Sequence, residues 1–183
     1  GTRWNAQAVN EFATFAERCK LPVAVSFRRQ MLFSATHPCF IGDVGIGLNP
    51  ALLKRVAEAD LVLLVGGRMS EMPSQAYTLF DIPVPKQTLV HVHPDSGELG
   101  RVYRAALAIN ASPISFASEL ASMATPALQP WAADTATMHQ SYLAWSDPAP
   151  IQTPGTLQMG GVMQYLEANL PPDAIMANGA GNF

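Results

Sequence analysis

The residues best suited to chemistry in this sequence follow a run of apolar side chains. Residues 61–65 read Leu-Val-Leu-Leu-Val, and Gly66, Gly67 and Arg68 come directly after them. An uninterrupted apolar run of this length predicts a strand that is buried on both faces, as in a parallel sheet. Glycines let backbone N–H groups approach a ligand closely, and an arginine can pair with phosphate. The segment therefore predicts a phosphate-binding crevice at the carboxyl end of a strand.

The same residues have simpler interpretations, which stay open at this point. Gly66 and Gly67 are also compatible with a tight turn that only packs the strand on a helix. Arg68 is equally compatible with a solvated charge or an interdomain ion pair.

A second set of polar residues follows another predicted strand. His91 and His93 alternate along it and therefore share a face, which is an arrangement that can bind a metal ion. No third ligand is in view, so we favour satisfied strand-end histidines. We also favour Asp95 as a helix cap over a role as a ribose ligand.

Composition excludes several classes of protein. The chain has 183 residues, of which 49% are apolar and 14% charged, and its net charge is −3. These values predict a well-buried core, and they argue against disorder and against a nucleic-acid partner. No apolar run has the length of a membrane span. Cys19 falls on an apolar helix face and is expected in the core, and we expect a cytoplasmic protein without a disulfide framework or metal site.

Helical and strand patterns alternate along the chain. Helices are predicted over about 5–20, from Asn49-Pro50, from Ser112-Pro113, over 134–145 and after Thr156. Strands are predicted at 23–26, 60–65, 88–93, 105–109 and 173–177, with long irregular segments at 27–48 and after Gly67 to Lys86. Alternating apolar strands and helices predict an α/β fold, a Rossmann-like, doubly wound, mostly parallel sheet flanked by helices.

The order and spacing of three segments resemble the central domain of thiamine-diphosphate-dependent enzymes of the acetolactate synthase type. The segments are the Gly-x-x-Gly stretch at 42–45, the strand and turn at 59–68, and the His-Val-His-Pro-Asp stretch that continues to Gly100. The similarity covers about residues 1–123, and residues 166–183 resemble the start of the family's diphosphate-binding domain. The resemblance implies a central Rossmann-like domain at 1–123, an interdomain linker with a helix at 124–155, and a truncated diphosphate-binding domain at 156–183.

The resemblance implies that the parent protein is an enzyme that uses thiamine diphosphate and Mg²⁺. An acetolactate synthase-like carboligase acting on 2-oxo acids is the leading expectation. A 2-oxo acid decarboxylase of the same family and a non-catalytic nucleotide-binding module are the alternatives. The activating glutamate and the Gly-Asp-Gly motif of the family belong to other domains, and Gly42-Asp43-Val44 stands in the wrong place for that motif. We therefore expect this chain to supply no catalytic or metal-binding residue and to be inactive alone.

The resemblance also implies a crevice that holds FAD in acetolactate synthases and ADP or nothing in relatives. Carried over by position, the crevice residues are Gly1, Ser26, Phe27, Ile41, Gly42, Asp43, Val44, Gly66, Gly67, Arg68, His93, Asn110 and Ala111. The family's FAD binders carry an acid where His93 stands and an Asp-Val pair where Asn110 and Ala111 stand. Their Arg-x-Asp-x-Arg stretch is replaced here by residues 68–72, which lack the second arginine. These departures predict that FAD or adenine nucleotide binds weakly.

In this family the first strand lies centrally in the sheet, and Gly1-Thr2 reads as the end of a turn that follows such a strand. An open slot beside exposed strand edges is a template for pairing, so we expect the chain to self-associate. The family implies a small 2-oxo acid substrate and a homo-oligomer for the parent protein.

Overall fold

The computed structural model describes residues 3–177 of the chain. The chain divides into two compact units between Trp145 and Ser146. Within the described residues no helix is both long enough and apolar enough to cross a membrane.

The first unit contains both helices and strands. Its helices are α1 (Ala6–Cys19), α2 (Pro50–Ala57), α3 (Pro113–Ser122) and α4 (Ala132–Ser146, whose last residue begins the second unit). Its strands are β1 (Val23–Ser26), β2 (Phe40–Val44), β3 (Leu61–Val65), β4 (Thr88–Val92) and β5 (Leu107–Ile109). Short 3₁₀ turns lie at Gln30–Leu32 and Ser96–Glu98.

Every strand pairing in the described residues is parallel. One sheet consists of β1 and β2, and the other has the order β3-β4-β5. The predicted α/β fold with parallel strands and flanking helices is confirmed. The difference is that the strands form two hydrogen-bonded sheets instead of one.

Strand β2 was not predicted, because residues 27–48 read as an irregular loop. The structure places Gly42, Asp43 and Val44 inside this strand, where they pair with residues 24–26 of β1. Glycine and aspartate are depleted in strands, so the propensity of this segment hides its structure. Gly42 has a φ of 119°, and a Cβ there would lie 3.2 Å from Leu52 Cδ2. The first glycine of the Gly-x-x-Gly stretch is therefore a packing position against α2.

Helix α1 is defined at both ends by capping. The Asn5 side chain accepts a hydrogen bond from the Ala8 N–H at 2.8 Å, as an N-cap residue does. Lys20 ends the helix in the left-handed conformation, with a φ of 53°. Cys19 is buried against Phe15 and Leu120, so its predicted place in the core is confirmed.

Hydrogen bonds to carbonyl groups join α1 to the chain after β5. The Arg18 guanidinium donates to the carbonyl oxygens of Leu120 at 3.3 Å and Met123 at 2.8 Å, at the end of α3. In the other direction, the Trp131 indole donates to the Cys19 carbonyl at 2.8 Å, and the Thr135 hydroxyl donates to the Lys20 carbonyl at 2.7 Å. These bonds satisfy helix-end carbonyls that lack partners within their own helices.

The predicted helix at 134–145 is present as α4, and it packs on the first sheet. Tyr142 lies edge-on to Phe40 with ring centroids 4.8 Å apart, and His139 Nδ1 donates to the Phe40 carbonyl at 2.7 Å. An ion pair joins Arg55 and Asp134. The domain boundaries placed at residues 123 and 155 remain a prediction.

An apolar slot of about 310 Å³ lies between β1 and β3. The side chains of β3 were predicted to be buried on both faces, and this prediction is wrong. Leu61 is 53% exposed, and residues 62–65 are only half-buried. The reason is that β3 pairs with β4 on one side only and borders the slot on the other.

The second unit contains one helix within its described part, α5 (Met159–Asn169). Gln158, not Thr156, occupies its N-cap position. The strand predicted at 173–177 is absent, and Ile175 is 95% exposed. A strand needs a hydrogen-bonded neighbour, and none of the described residues pairs with this segment. The Gly179-Ala180-Gly181 stretch lies outside the described residues.

The hydrogen bond from Thr135 of α4 to the Lys20 carbonyl at the end of α1 should contribute to the free energy of unfolding. Thr135→Val keeps the volume of this buried residue and removes the donor to the Lys20 carbonyl, so we expect a loss of about 1 kcal/mol in the free energy of unfolding. Thr137→Val is the matched control, because the Thr137 hydroxyl is exposed and bonds only within its own helix. Urea unfolding of both variants measures the difference. Equal losses in the two variants would contradict the role of the cap.

Candidate functional site

A polar cleft lies where the strands of both sheets end. It has a volume of about 360 Å³ and receives residues from the carboxyl ends of β1, β3 and β4. Its lining consists of Arg3, Ser26, Phe27, Arg29, Gly66, Gly67, Arg68, Ser70, Pro73, His93, Pro94, Asp95 and Glu98. The carboxyl edge of parallel strands is the usual ligand site of open α/β sheets.

The structure brings about half of the predicted crevice residues together. Those in the cleft lining are Ser26, Phe27, Gly66, Gly67, Arg68 and His93. Those outside the lining are Ile41, Gly42, Asp43, Val44, Asn110 and Ala111. Asp43 instead accepts a hydrogen bond from Gln30 Nε2 at 2.9 Å, and Ile41 lines the apolar slot. Gly1 lies outside the described residues.

The two glycines after β3 shape the floor of the cleft. Gly66 has a φ of 66°, and its N–H donates to the Val92 carbonyl at 2.8 Å, so this group extends the sheet. A Cβ on Gly67 would lie 2.9 Å from Leu64 Cδ1. The Gly67 N–H has no partner among the described residues. The turn is therefore a packing feature that also leaves one backbone donor for a ligand.

Arg68 shares a carboxylate with a second arginine. Arg68 Nη1 lies 3.6 Å from Glu98 Oε1, and Arg101 Nη1 lies 3.0 Å from the same atom. One carboxylate therefore faces two guanidinium groups, and the cleft lining as a whole has three arginines against the two acids Asp95 and Glu98. Arg68 itself is well exposed and can turn towards a ligand.

The other two arginines of the cleft, Arg3 and Arg29, were missed by sequence reasoning. Arg29 follows β1, and its Nη1 donates to the Arg28 carbonyl at 2.8 Å. Both arginines lie in irregular segments, where no periodicity assigns them to a face. The only signal was the Arg28-Arg29 pair close to the end of a predicted strand, where ligands of parallel sheets bind.

His91 contacts the glycine turn that forms part of the cleft. Its Nε2 donates to the Gly67 carbonyl at 2.9 Å, and its side chain is buried. Burial lowers the pKa of His91, and this effect outweighs the hydrogen bond to Gly67, which acts in the opposite direction. The ring is therefore neutral and holds the glycine turn in place, as predicted for a satisfied strand-end histidine.

Residues 1–120 match the family model described as "Thiamine pyrophosphate enzyme, central domain". The chain belongs to this family. The cleft and the two parallel sheets described above therefore lie in a thiamine diphosphate enzyme central domain.

Several curated proteins are similar to this central domain and the residues after it. A sulfoacetaldehyde acetyltransferase of Rhodobacter capsulatus is 25% identical over 97% of the chain and 33% of its own length. A protein of the same name from Alcaligenes xylosoxydans xylosoxydans is 32% identical over 62% of the chain and 19% of its own length. A probable acetolactate synthase large subunit of Methanocaldococcus jannaschii is 28% identical over 56% of the chain and 17% of its own length. The chain thus spans about a third of the length of the first relative.

Residues 3–177 contain no group of three or more His, Cys, Asp or Glu side chains placed to hold a metal ion. His91 and His93 have ring centroids 5.9 Å apart, and the Nε2 of His91 is already bonded to Gly67.

For an adenine nucleotide, the fit differs between the two ends of the ligand. Arginines and the Gly67 N–H suit phosphate groups. Around His93, which lines the cleft, Asn110 Nδ2 donates to the His93 carbonyl at 3.0 Å, and the Asp95 N–H donates to His93 Nδ1 at 3.1 Å. Asp95 caps the 3₁₀ turn through the Gly97 N–H at 2.9 Å, as the sequence indicated. The groups that would replace the family's acids are thus already paired.

The lowered pKa of His91 predicts a pH-dependent stability. Between the pKa in the folded protein and the ordinary value of 6.5, the unfolded chain binds a proton that the folded protein does not. The stabilisation is therefore complete above about pH 6.5 and is lost as the pH falls through that window. We expect His91→Gln, whose amide can still donate to Gly67, to lose less melting temperature than the parent chain between pH 7.5 and pH 5.

Burial also lowers the pKa of His37, so some pH dependence will remain in the variant. Thermal melting across the pH range, together with NMR titration of the His91 ring, makes the measurement. Parallel stability curves for the two proteins, or a His91 ring that titrates at its ordinary pKa, would refute the assignment.

Proposed function

We propose that this chain is the central domain of a thiamine-diphosphate-dependent acyltransferase. The single observation that carries this proposal is the match of residues 1–120 to the central-domain family model. The relatives named sulfoacetaldehyde acetyltransferase favour an acetyltransferase, and one covers the chain almost completely. An acetolactate synthase-like carboligase is the second candidate, favoured by the similarity to the Methanocaldococcus jannaschii protein.

In this proposal the central domain binds and positions, while the chemistry takes place elsewhere. Thiamine diphosphate, when bound, stabilises the carbanion that the transfer of an acyl group requires. The described residues supply no metal cluster for it, so we assign the cofactor, its Mg²⁺ and the 2-oxo acid or aldehyde substrate to parts of the parent protein outside residues 3–177. We further propose that the parent protein is a homo-oligomer.

The complete gene product tests this proposal. We expect acyl transfer that requires added thiamine diphosphate and Mg²⁺, with sulfoacetaldehyde consumed in preference to the formation of acetolactate from pyruvate. Acetolactate formation alone would favour the second candidate. The 183-residue chain is the control, and we expect it to turn over neither substrate. Activity that is independent of thiamine diphosphate would overturn both candidates.

Within the central domain, we propose that the polar cleft binds the phosphate groups of a nucleotide such as ADP. Its support is the convergence of Arg3, Arg29 and Arg68 on one cleft, since guanidinium groups form paired hydrogen bonds with phosphate oxygens. The volume of about 360 Å³ lies at the small end of the range for ligand pockets, which favours ADP over the larger FAD. Because His93 and Asn110 stand where the family's FAD binders carry acids, we expect weak binding.

Arginine variants test the cleft. A charge-assisted hydrogen bond contributes about 1.5–3 kcal/mol, so Arg29→Ala and Arg68→Ala should each weaken ADP binding roughly tenfold to a hundredfold. Arg28→Ala is the matched control, because Arg28 lies outside the cleft lining and its guanidinium lies 5.2 Å from the Phe27 ring. Isothermal titration of the 183-residue chain gives the affinities.

Three results would contradict the assignment of the cleft. Arg28→Ala could weaken binding as much as the cleft variants do. ADP binding could be insensitive to all three substitutions. Tight FAD binding, visible as flavin absorbance in the purified protein, would contradict both the choice of ADP and the expected weak binding.

A further inference from the structure

We propose that Glu98 regulates the polar cleft by holding Arg68 in place of a phosphate group, and that Arg101 keeps Glu98 paired when a phosphate takes Arg68. Glu98 is then an internal competitor of the ligand. Arg101 lies outside the cleft lining and acts on the ligand only through Arg68, so it is a positioning residue. This exchange rests on the proposed binding of nucleotide phosphates in the same cleft.

A single carboxylate oxygen faces both arginines. Arg101 Nη1 donates a hydrogen bond to Glu98 Oε1 at 3.0 Å, and Arg68 Nη1 lies 3.6 Å from the same oxygen. The first distance is that of a hydrogen bond, whereas the second is longer than one. The contact between Glu98 and Arg68 is therefore the weaker of the two, and it is the contact that a competing anion breaks first.

Glu98 is fixed in place, while Arg68 has room to move. Glu98 is the last residue of the 3₁₀ turn that Asp95 caps, its N–H donates to the Asp95 carbonyl at 3.2 Å, and its side chain is only 13% exposed. The Arg68 side chain is 63% exposed, and Glu98 is its one ion-pair partner among residues 3–177. An exchange of partners therefore moves the arginine and leaves the carboxylate where it is.

The competition takes place inside the cleft, because Arg68 and Glu98 both line it. While Arg68 faces Glu98, its positive charge is compensated and attracts a ligand less. A phosphate group carries more negative charge than a carboxylate, and it can accept two parallel hydrogen bonds from one guanidinium. Phosphate can therefore displace Glu98 from Arg68, whereas an anion no stronger than a carboxylate gains nothing by the exchange.

Arg101 lowers the free-energy cost of this exchange. A largely buried carboxylate that loses its cationic partner is left with an uncompensated charge, which is strongly unfavourable. Because Arg101 stays hydrogen-bonded to Glu98, the departure of Arg68 leaves the carboxylate paired. Without Arg101, Glu98 would depend on Arg68 and hold it more firmly. The cleft would then lose affinity for phosphate although no residue of its lining had changed.

The first test removes the competitor. Glu98→Gln keeps the shape of the side chain and loses its charge, so we expect the 183-residue chain to bind ADP about fivefold more tightly in isothermal titration. Glu71→Gln is the matched control, because Glu71 is exposed, lies outside the cleft lining and has no ion pair within residues 3–177. In an Arg68→Ala background the gain from Glu98→Gln should disappear, since the competition is for that guanidinium.

The second test removes the residue that holds the competitor. We expect Arg101→Ala to weaken ADP binding about fivefold and Arg101→Lys to restore part of the loss. The double variant Glu98→Gln/Arg101→Ala should bind ADP as tightly as Glu98→Gln alone, because there is no longer a carboxylate to hold Arg68. Arg104→Ala is the matched control for the loss of a positive charge, since Arg104 is also exposed and has no ion pair in the described part of the chain.

The side-chain N–H signals of Arg68 in NMR spectra report its partner directly. They should shift when ADP is added to the unmodified chain. In Glu98→Gln they should differ from those of the unmodified chain before any ADP is added. In Arg101→Ala their shift should require about fivefold more ADP, a change that an effect of Arg101 on folding alone would not produce.

The outcomes separate this exchange from the nucleotide site itself. Unchanged ADP affinity in Glu98→Gln, with Arg29→Ala still weakening binding, would overturn the exchange and leave the site in place. Absence of ADP binding in the unmodified chain and in Glu98→Gln would overturn both. Equal losses in Arg101→Ala and Arg104→Ala, or a loss that persists in the double variant, would refute the role of Arg101. If Arg101→Ala does not fold, as judged by circular dichroism, Glu98→Gln still decides whether the competition exists.

Discussion

The two sheets of the central domain share no strand pairing among the described residues, so their connection depends on helix packing. Helix α1 leads into the first sheet and α3 follows the last strand of the second, and the two helices pack against each other. Arg18 reinforces this contact by donating to the Leu120 and Met123 carbonyls. Val56 of α2 adds a second link, because it packs against the cores on both sides. The geometry of the polar cleft, which takes residues from both sheets, depends on this connection.

The polar cleft is the feature most dependent on that connection, because it draws on both sheets. Ser26 and Arg29 come from the first sheet and the segment after it, whereas Arg68 and His93 follow strands of the second. The spacing of the guanidinium groups is therefore governed by the separation of the sheets.

Sequence reasoning succeeded where local patterns and tertiary environment agree. Helices begin after Asn49 and Ser112 as predicted, the first helix starts close to Asn5, and strand β4 falls at the predicted position, because capping and apolar periodicity are local properties. It failed for β2, whose glycine and aspartate conceal a strand held by pairing with β1. It failed in the opposite way at 173–177, where strand propensity exists without a partner. In the cleft, the glycine turn and His93 were found, whereas Arg3 and Arg29 converge only through tertiary structure.

The edge of β3 that borders the slot differs from the outer edges of the two sheets. Natural edge strands are kept short, covered or charged, which prevents unwanted pairing. The outer edge of the second sheet, β5, has only 3 residues. The outer edge of the first, β2, is contacted by α4, whose His139 donates to the Phe40 carbonyl. Strand β3 has none of these protections, since it consists of five consecutive leucines and valines with neither charge nor proline.

Burial of each such side chain is worth about 1.5–3 kcal/mol, so a half-buried β3 forgoes several kcal/mol that a neighbouring strand would recover. Its sequence is therefore that of an interior strand.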